Sequence, residues 1–165
     1  MKALILSTAT GGGHNTAAHA VLEALTERGV ECRFEDCVAF GGQKLSAAVS
    51  NVYVKFVQAA PDAFGRLYRF AKAISTPRIK SPVYLFNAAY AHKMEQLLTD
   101  YAPDLIVCTH MFGGQSVTYL RRHDLWNGLF AMVMTDYTIH PFIEDIECDV
   151  MFTCKAAMPS ARRLA

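Results

Sequence analysis

The sequence of this 165-residue chain predicts a doubly wound, Rossmann-like α/β domain built on a parallel sheet. Two observations predict it. Short, nearly all-apolar strands alternate with helical segments, a pattern typical of parallel sheets that are covered by helices on both faces. In addition, glycine-rich or histidine-bearing turns follow several of these strands. Ligands of such domains bind at the carboxyl ends of the strands, so these turns predict a site there.

The predicted elements alternate along the chain. The predicted strands are Ala3–Leu6, Val30–Phe34, Leu105–Thr109, Leu129–Met134 and Val150–Cys154. Gly29 closes the first helix, and Ser81-Pro82 has the pattern of a cap followed by a first helical residue. The predicted helices are His14–Arg28, a segment from Pro82 to Leu98, and about Gln115–Arg122.

The turn after the first strand carries the clearest chemical signal. Gly11, Gly12 and Gly13 let the backbone approach a ligand closely, and the helix that follows points its unbonded N–H groups and positive dipole end at the same place. His14 adds a side chain that can move a proton near neutral pH, with Asn15 beside it. The turn therefore predicts a site for a phosphate or a developing anion. A tight turn with an exposed histidine is the alternative.

Two common nucleotide motifs do not explain this turn. The dinucleotide fingerprint needs Gly or Ala where Thr16 stands, although Asp36 lies near the expected position of a ribose-binding acid. A P-loop is excluded because no G-K-[ST] follows the glycines.

Two further loops are predicted at the same edge of the sheet. One runs from Thr109 to Gly114 and contains His110, and the other, Thr135–Pro141, contains Asp136 and His140. Asp136 is a candidate to orient an imidazole or hold its charge, or else a loop cap. Each of the two histidines is a site residue or only a polar loop residue. A three-histidine zinc site with His14 has no supporting H-x-x-x-H spacing, so we expect no metal.

Composition narrows the classes of function. A net charge of +1 gives no case for nucleic-acid binding, and the length suits one domain or one half of a larger enzyme. No apolar run is long enough to span a bilayer. The five cysteines are scattered without a C-x-x-C pair, which indicates reduced thiols in a cytoplasmic protein. They are Cys32, Cys37, Cys108, Cys148 and Cys154.

The middle of the chain, Cys37–Met94, is strongly basic. It holds eight Lys and Arg residues and one acid, a net charge of +7, together with apolar residues at helical spacing. A basic amphipathic stretch rich in aromatics is typical of a membrane-surface element, here placed at about residues 40–95. A core-packing insertion with a solvated basic face is the alternative. The residues expected at the membrane are Phe64, Arg66, Tyr68, Arg69, Phe70, Lys72, Arg78 and Lys80.

Three motifs carry a resemblance to a known family: the turn TGGGHNTAA, the strand and loop PDLIVCTHMFGG, and VMTDYTIHPF. In this order they resemble the N-terminal domain of monogalactosyldiacylglycerol synthases. The bacterial processive diacylglycerol glucosyltransferases are similar, and the enzyme that adds N-acetylglucosamine to lipid-linked muramyl peptide resembles the chain more distantly. The resemblance covers nearly the whole chain.

The resemblance implies the N-terminal, acceptor-binding half of a two-domain GT-B glycosyltransferase. Such an enzyme transfers a hexose from a UDP-sugar to the 3-hydroxyl of diacylglycerol with inversion, needs no metal or cofactor, and acts at the cytoplasmic membrane surface with anionic lipid. The C-terminal domain that would hold most of the nucleotide-sugar is absent from these 165 residues, so the chain by itself is expected to be inactive.

The resemblance also implies roles for residues of this sequence. His14 matches the candidate base and Asp136 its acidic partner, with His140 in the same loop. Many relatives carry tryptophan soon after the His-Pro pair, whereas Phe142-Ile143 stand here. The expected substrate and diphosphate contacts are Gly11, Gly12, Gly13, Asn15, Thr109, His110, Tyr137 and His140. A non-catalytic, Rossmann-type nucleotide- or phosphate-binding module, with a basic segment for a protein partner, is the alternative function.

Overall fold

The structure, a computed structural model, describes residues 1–8, 12–42, 82–137, 143, 145–155 and 157–158. Most of the basic segment therefore lies outside the described residues. All of the residues expected at the membrane lie outside them too, as do Gly11 and His140. What the structure describes is the central sheet, the helices packed on it and most of the loops at its carboxyl edge.

In the described part of the chain, five strands form one sheet in the order β2-β1-β3-β4-β5, and every neighbouring pair is parallel. The sequence prediction of a Rossmann-like parallel sheet is confirmed, and each strand boundary lies within two residues of its predicted place. The strands are β1 Lys2–Ser7, β2 Glu31–Asp36, β3 Leu105–Cys108, β4 Leu129–Val133 and β5 Val150–Phe152.

The helices differ from the prediction mainly at their ends. The first helix starts at Gly12, inside the glycine turn, and ends before Gly29, whose φ of 77° suits a residue without a Cβ. The segment from Pro82 does not form one continuous helix, because a 3₁₀ turn interrupts it. The α-helices are α1 Gly12–Thr26, α2 Pro82–Ala91, α3 Glu95–Tyr101 and α4 Met111–Arg122, with 3₁₀ helices at Cys37–Gly41 and His92–Met94.

The predicted loop Thr109–Gly114 is largely helical, because α4 begins at Met111 and not at Gln115. The two glycines of this segment serve close packing. A Cβ on Gly114 would lie 2.6 Å from Ile146 Cδ1, and one on Gly113 would lie 3.2 Å from Cys108 Sγ. The first turn of α4 thus packs directly on the sheet.

Alternate strand residues fill the core on the two faces of the sheet. Leu4 and Leu6 of β1 contribute to the larger cluster, which α4 and the α2–α3 region cover, while Ala3 and Ile5 face α1 on the other side. Burial on both faces explains why β1, β3 and β4 are apolar without alternation, whereas the edge strand β2 carries charged residues. Because the strands are parallel and held from both sides, their carboxyl ends form one fixed edge.

Asp149 ties the loop before β5 to β4 and to the end of α4. Its carboxylate accepts from the backbone N–H of Phe130 at 2.8 Å and from both terminal nitrogens of Arg121 at 3.0 and 3.2 Å. The Phe130 hydrogen bond, followed by Arg121, holds the pKa of Asp149 below its usual range. The carboxylate is partly exposed, so its contribution to stability is modest.

We expect Asp149→Ala to lower the free energy of unfolding by about 1–2 kcal/mol at pH 7, as urea titration will show. A lowered folded-state pKa gives stability that is present above the unfolded-state pKa of about 3.9 and is lost as pH falls through the folded-state value. The difference from wild type should therefore shrink as the pH drops below about 4. Glu23→Ala, at an exposed acid of α1, is the control. A difference that stays constant down to pH 3 would contradict the assignment.

Candidate active site

His14 lies where the ends of β3 and β4 meet the first turn of α1. Its Nδ1 is 3.0 Å from the carbonyl oxygen of Thr109 and 2.7 Å from Oγ1 of Thr135. Thr109 is itself fixed, because its N–H donates to the Leu6 carbonyl of β1 at 3.0 Å and the residue is 1% exposed. The structure thus brings His14 together with the first residues of both predicted loops, on one edge of the sheet.

The contact with Thr109 determines which nitrogen of His14 carries the proton. A carbonyl oxygen can only accept a hydrogen bond, so this contact places the hydrogen on Nδ1. In the neutral ring, Nε2 then has the lone pair. The backbone therefore prepares Nε2 of His14 as a proton acceptor.

His110 forms the wall beside this ring. The two imidazoles pack edge to face, with centroids 4.5 Å apart and planes at 87°. His110 is also the N-cap of α4, since its Nδ1 accepts from the backbone N–H of Phe112 at 3.1 Å. Its side chain is 8% exposed. The structure places His110 in the predicted site, where it holds the start of α4 against His14.

The first turn of α1 presents accessible backbone beside His14. Gly12 and Gly13 are exposed, and a Cβ built on either would meet nothing within 4 Å. The Ser7 hydroxyl donates to Oδ1 of Asn15 at 2.6 Å, which anchors the start of the helix to the end of β1. The first N–H groups of a helix have no partner within that helix, so this turn can receive an anion.

Asp136 follows Thr135 and is exposed, as is Tyr137, with 81% of its surface accessible. Among the described residues, the polar contacts of the His14 ring come from the Thr109 carbonyl and the Thr135 hydroxyl, and not from the Asp136 carboxylate. The catalytic role of Asp136 stays a prediction, as does the substrate role of Tyr137. The described residues contain no group of three or more His, Cys, Asp and Glu side chains that could hold a metal ion.

The cysteines are free thiols, and the two fully buried ones lie in the core. Burial raises the pKa of both Cys37 and Cys108 far above that of an ordinary thiol, so neither is a nucleophile at neutral pH. Burial also raises the pKa of Cys148.

A buried polar network behind the site was not predicted from the sequence. Tyr90 Oη donates to Oδ1 of Asn87 at 2.5 Å, and Nδ2 of Asn87 donates to Oε1 of Gln115 at 2.7 Å. Asn87 and Gln115 are completely buried. The network joins α2, which lies in the C-terminal part of the basic segment, to α4, which begins at the His110 cap. The sequence signal for it was Asn87, a polar residue in the apolar sequence of α2.

Comparison with protein families adds the decisive observation. The model of the family described as monogalactosyldiacylglycerol (MGDG) synthase matches residues 14–161, a range that begins at His14 and includes both loops of the site. The chain belongs to the MGDG synthase family. No match was found among curated proteins or among solved structures.

Membership in the MGDG synthase family confirms the resemblance found in the sequence. It makes the chain part of a glycosyltransferase of glycolipid synthesis, with a lipid acceptor and a nucleotide-sugar donor in general terms. It therefore favours the enzyme over the non-catalytic binding module. In the described part of the chain, no helix is both long enough and apolar enough to cross a bilayer.

The buried network can be tested with Tyr90→Phe. Removing the hydroxyl leaves Oδ1 of Asn87 without this donor in the core, so we expect the free energy of unfolding to fall by about 1–2 kcal/mol in urea titrations. Tyr137→Phe removes the same atom from an exposed ring and should change stability little. Equal stabilities of the two variants would show that the Tyr90–Asn87 hydrogen bond does not stabilise the fold.

Proposed function

We propose that this chain is the acceptor-binding half of an inverting glycosyltransferase, which transfers a hexose from a UDP-sugar to the 3-hydroxyl of diacylglycerol. The observation that carries the proposal is the hydrogen bond from Nδ1 of His14 to the Thr109 carbonyl, because it leaves Nε2 ready to accept a proton. Family membership supplies the reaction class.

His14 is the general base of this proposal. Its Nε2 takes the proton of the acceptor hydroxyl while the hydroxyl oxygen bonds to the anomeric carbon of the sugar. The bond from that carbon to the UDP oxygen breaks at the same time, and UDP leaves with the electron pair. Attack from the side opposite the leaving group inverts the anomeric configuration. A second, C-terminal domain would hold most of the nucleotide-sugar.

The first turn of α1 would stabilise the charge that develops on the leaving diphosphate. Gly12 and Gly13 are exposed there, so their backbone can approach the phosphate oxygens. The side chain of Asn15 is held at the same turn by Ser7. We propose no metal ion and no cofactor for this step, since amide dipoles and the helix end can serve the diphosphate.

A row of rings leads from His14 to an exposed apolar surface, which suits an acceptor with acyl chains. His110 packs against Phe112 with centroids 4.6 Å apart, and Phe112 lies 6.3 Å from Phe86 on α2. Phe86 is 36% exposed and its neighbour Leu85 is 58% exposed. A glycerolipid whose hydroxyl lies at His14 could place its acyl chains along this row, toward Phe112 and Phe86.

The base role predicts the effect of His14→Ala in the enzyme assayed with UDP-hexose and diacylglycerol. Loss of a general base should reduce turnover by roughly 100-fold, while the KM for the nucleotide-sugar changes little. His92→Ala, at an exposed histidine, is the matched control and should keep normal turnover. Near-normal turnover of the His14→Ala variant would remove His14 from this role.

We further propose that the enzyme is peripheral on the membrane and that the basic segment attaches it there, through residues outside the described ranges. The segment's net charge of +7 in a chain of net charge +1 supports this, because each base near an anionic leaflet contributes on the order of 1 kcal/mol. Phe64, Tyr68 and Phe70 are expected to enter the headgroup layer.

Vesicle flotation tests the membrane proposal. Replacing Arg66, Arg69, Lys72, Arg78 and Lys80 with Gln should abolish most binding to anionic vesicles, and wild-type binding should weaken as salt rises. Neutral vesicles should bind much less of the wild type. A control variant, Arg28→Gln with Lys155→Gln, removes exposed bases elsewhere and should bind like wild type. Equal binding of the wild type and the five-base variant would show that the basic face is only solvated.

A further inference from the structure

We propose that Thr135 is a positioning residue for His14, and that its hydroxyl oxygen is a second acceptor for the Nδ1–H of the ring. This inference rests on the proposed function, in which Nε2 of His14 takes the acceptor proton. The neutral hydroxyl of Thr135 would thus orient the imidazole. The sequence suggested this role for the carboxylate of the next residue, Asp136.

Two oxygens converge on one nitrogen. The Thr109 carbonyl oxygen lies 3.0 Å and Thr135 Oγ1 lies 2.7 Å from Nδ1 of His14. If the Thr135 hydroxyl donated to Nδ1, the nitrogen lone pair would be used for that bond and Nδ1 would have no hydrogen for the carbonyl. Two lone-pair-bearing atoms would then face each other at 3.0 Å. A hydrogen on Nδ1 shared between both oxygens satisfies the two contacts, as in other three-centre hydrogen bonds.

The two acceptors favour the charged form that the reaction creates. When Nε2 takes the acceptor proton, the ring becomes an imidazolium, and its Nδ1–H becomes a stronger donor. The oxygens of Thr109 and Thr135 already face this hydrogen, so no group has to reorganise. Thr135 takes up no proton itself. Its oxygen holds the ring in one tautomer and one orientation.

The positions of the two threonines in the sheet make this arrangement rigid. Thr109 directly follows β3, and Thr135 comes two residues after the end of β4, which pairs with β3 on one side and β5 on the other. Met134 N donates to the Phe152 carbonyl at 2.8 Å, so the backbone is held up to the residue before Thr135. The His110 ring packs against another side of the His14 ring.

Nitrogen-15 NMR of His14 tests the inference directly on this chain. In the wild type at high pH, Nδ1 should have the chemical shift of a protonated ring nitrogen and Nε2 that of a lone-pair nitrogen. Thr135→Val keeps the shape but removes the acceptor, so the ratio of the Nδ1–H to the Nε2–H tautomer should fall about tenfold. Thr135→Ser should restore the wild-type ratio. Thr26→Val, at an exposed threonine of α1, should leave the His14 signals unchanged.

Steady-state kinetics supply the second readout. Thr135→Val should lower kcat about tenfold with the KM for diacylglycerol nearly unchanged, and Thr135→Ser should keep most of the activity. If Nδ1 of the wild type has the chemical shift of a nitrogen with a lone pair, Thr135 donates to it and the inference is overturned. A tautomer ratio that is the same in the wild type and in the Thr135→Val variant would overturn it as well. The spectra do not depend on catalysis. Failure of the enzyme that includes the nucleotide-sugar domain to transfer sugar would therefore overturn the proposed function, while the spectra of this chain still decide the role of Thr135.

Discussion

The hydrogen bond between the His14 ring and the Thr109 carbonyl joins residues that lie 95 positions apart in the chain. It exists because β1 and β3 are adjacent parallel strands, with Leu6 opposite Cys108. The turn after β1 and the residue after β3 therefore meet at the same edge. The bond also sets the chemistry of the ring, since a carbonyl acceptor at Nδ1 leaves the lone pair at Nε2. The remaining groups of the site are arranged around this contact.

Packing behind the edge keeps these groups in place. Gly113 and Gly114 let the first turn of α4 lie directly on β1 and β4, which fixes His110 at its cap and holds its ring against His14. The buried pair Asn87 and Gln115 fastens α2 to α4. Because α2 belongs to the C-terminal part of the basic segment, this hydrogen bond connects the proposed membrane element to the helix that begins beside the proposed base.

The sequence was sufficient for the sheet and for the edge where the site lies. Apolar strands such as Ala3–Leu6 that alternate with helices indicate a parallel sheet covered on both faces. In a parallel sheet the carboxyl ends of the strands lie at the same edge. Placement of His14 near the loop after β4 followed from this topology alone. The pattern of residues did not reveal that α4 starts at Met111, because glycines are typical of loops and their use in close helix packing depends on Ile146, far away in the chain.

The contacts of the site were harder to predict than its place. A carboxylate is the usual partner of a catalytic imidazole, so the sequence pointed to Asp136 and not to Thr135. The two residues are adjacent, but the Thr135 side chain contacts the ring, whereas Asp136 is exposed to solvent. The carbonyl of Thr109 is backbone and has no sequence signal at all. Polar residues on apolar helices, such as Asn87, do leave a signal, but their partner is set by how two helices pack.

The central claim is that the lipid acceptor presents its hydroxyl to Nε2 of His14. A crystal structure of the protein with a short-chain diacylglycerol tests this most directly. We expect the 3-hydroxyl oxygen to lie about 3 Å from Nε2, with the acyl chains directed toward Phe112 and Phe86. A diacylglycerol bound with its hydroxyl away from the carboxyl edge of the sheet, or with Nε2 facing only its acyl chains, would contradict it.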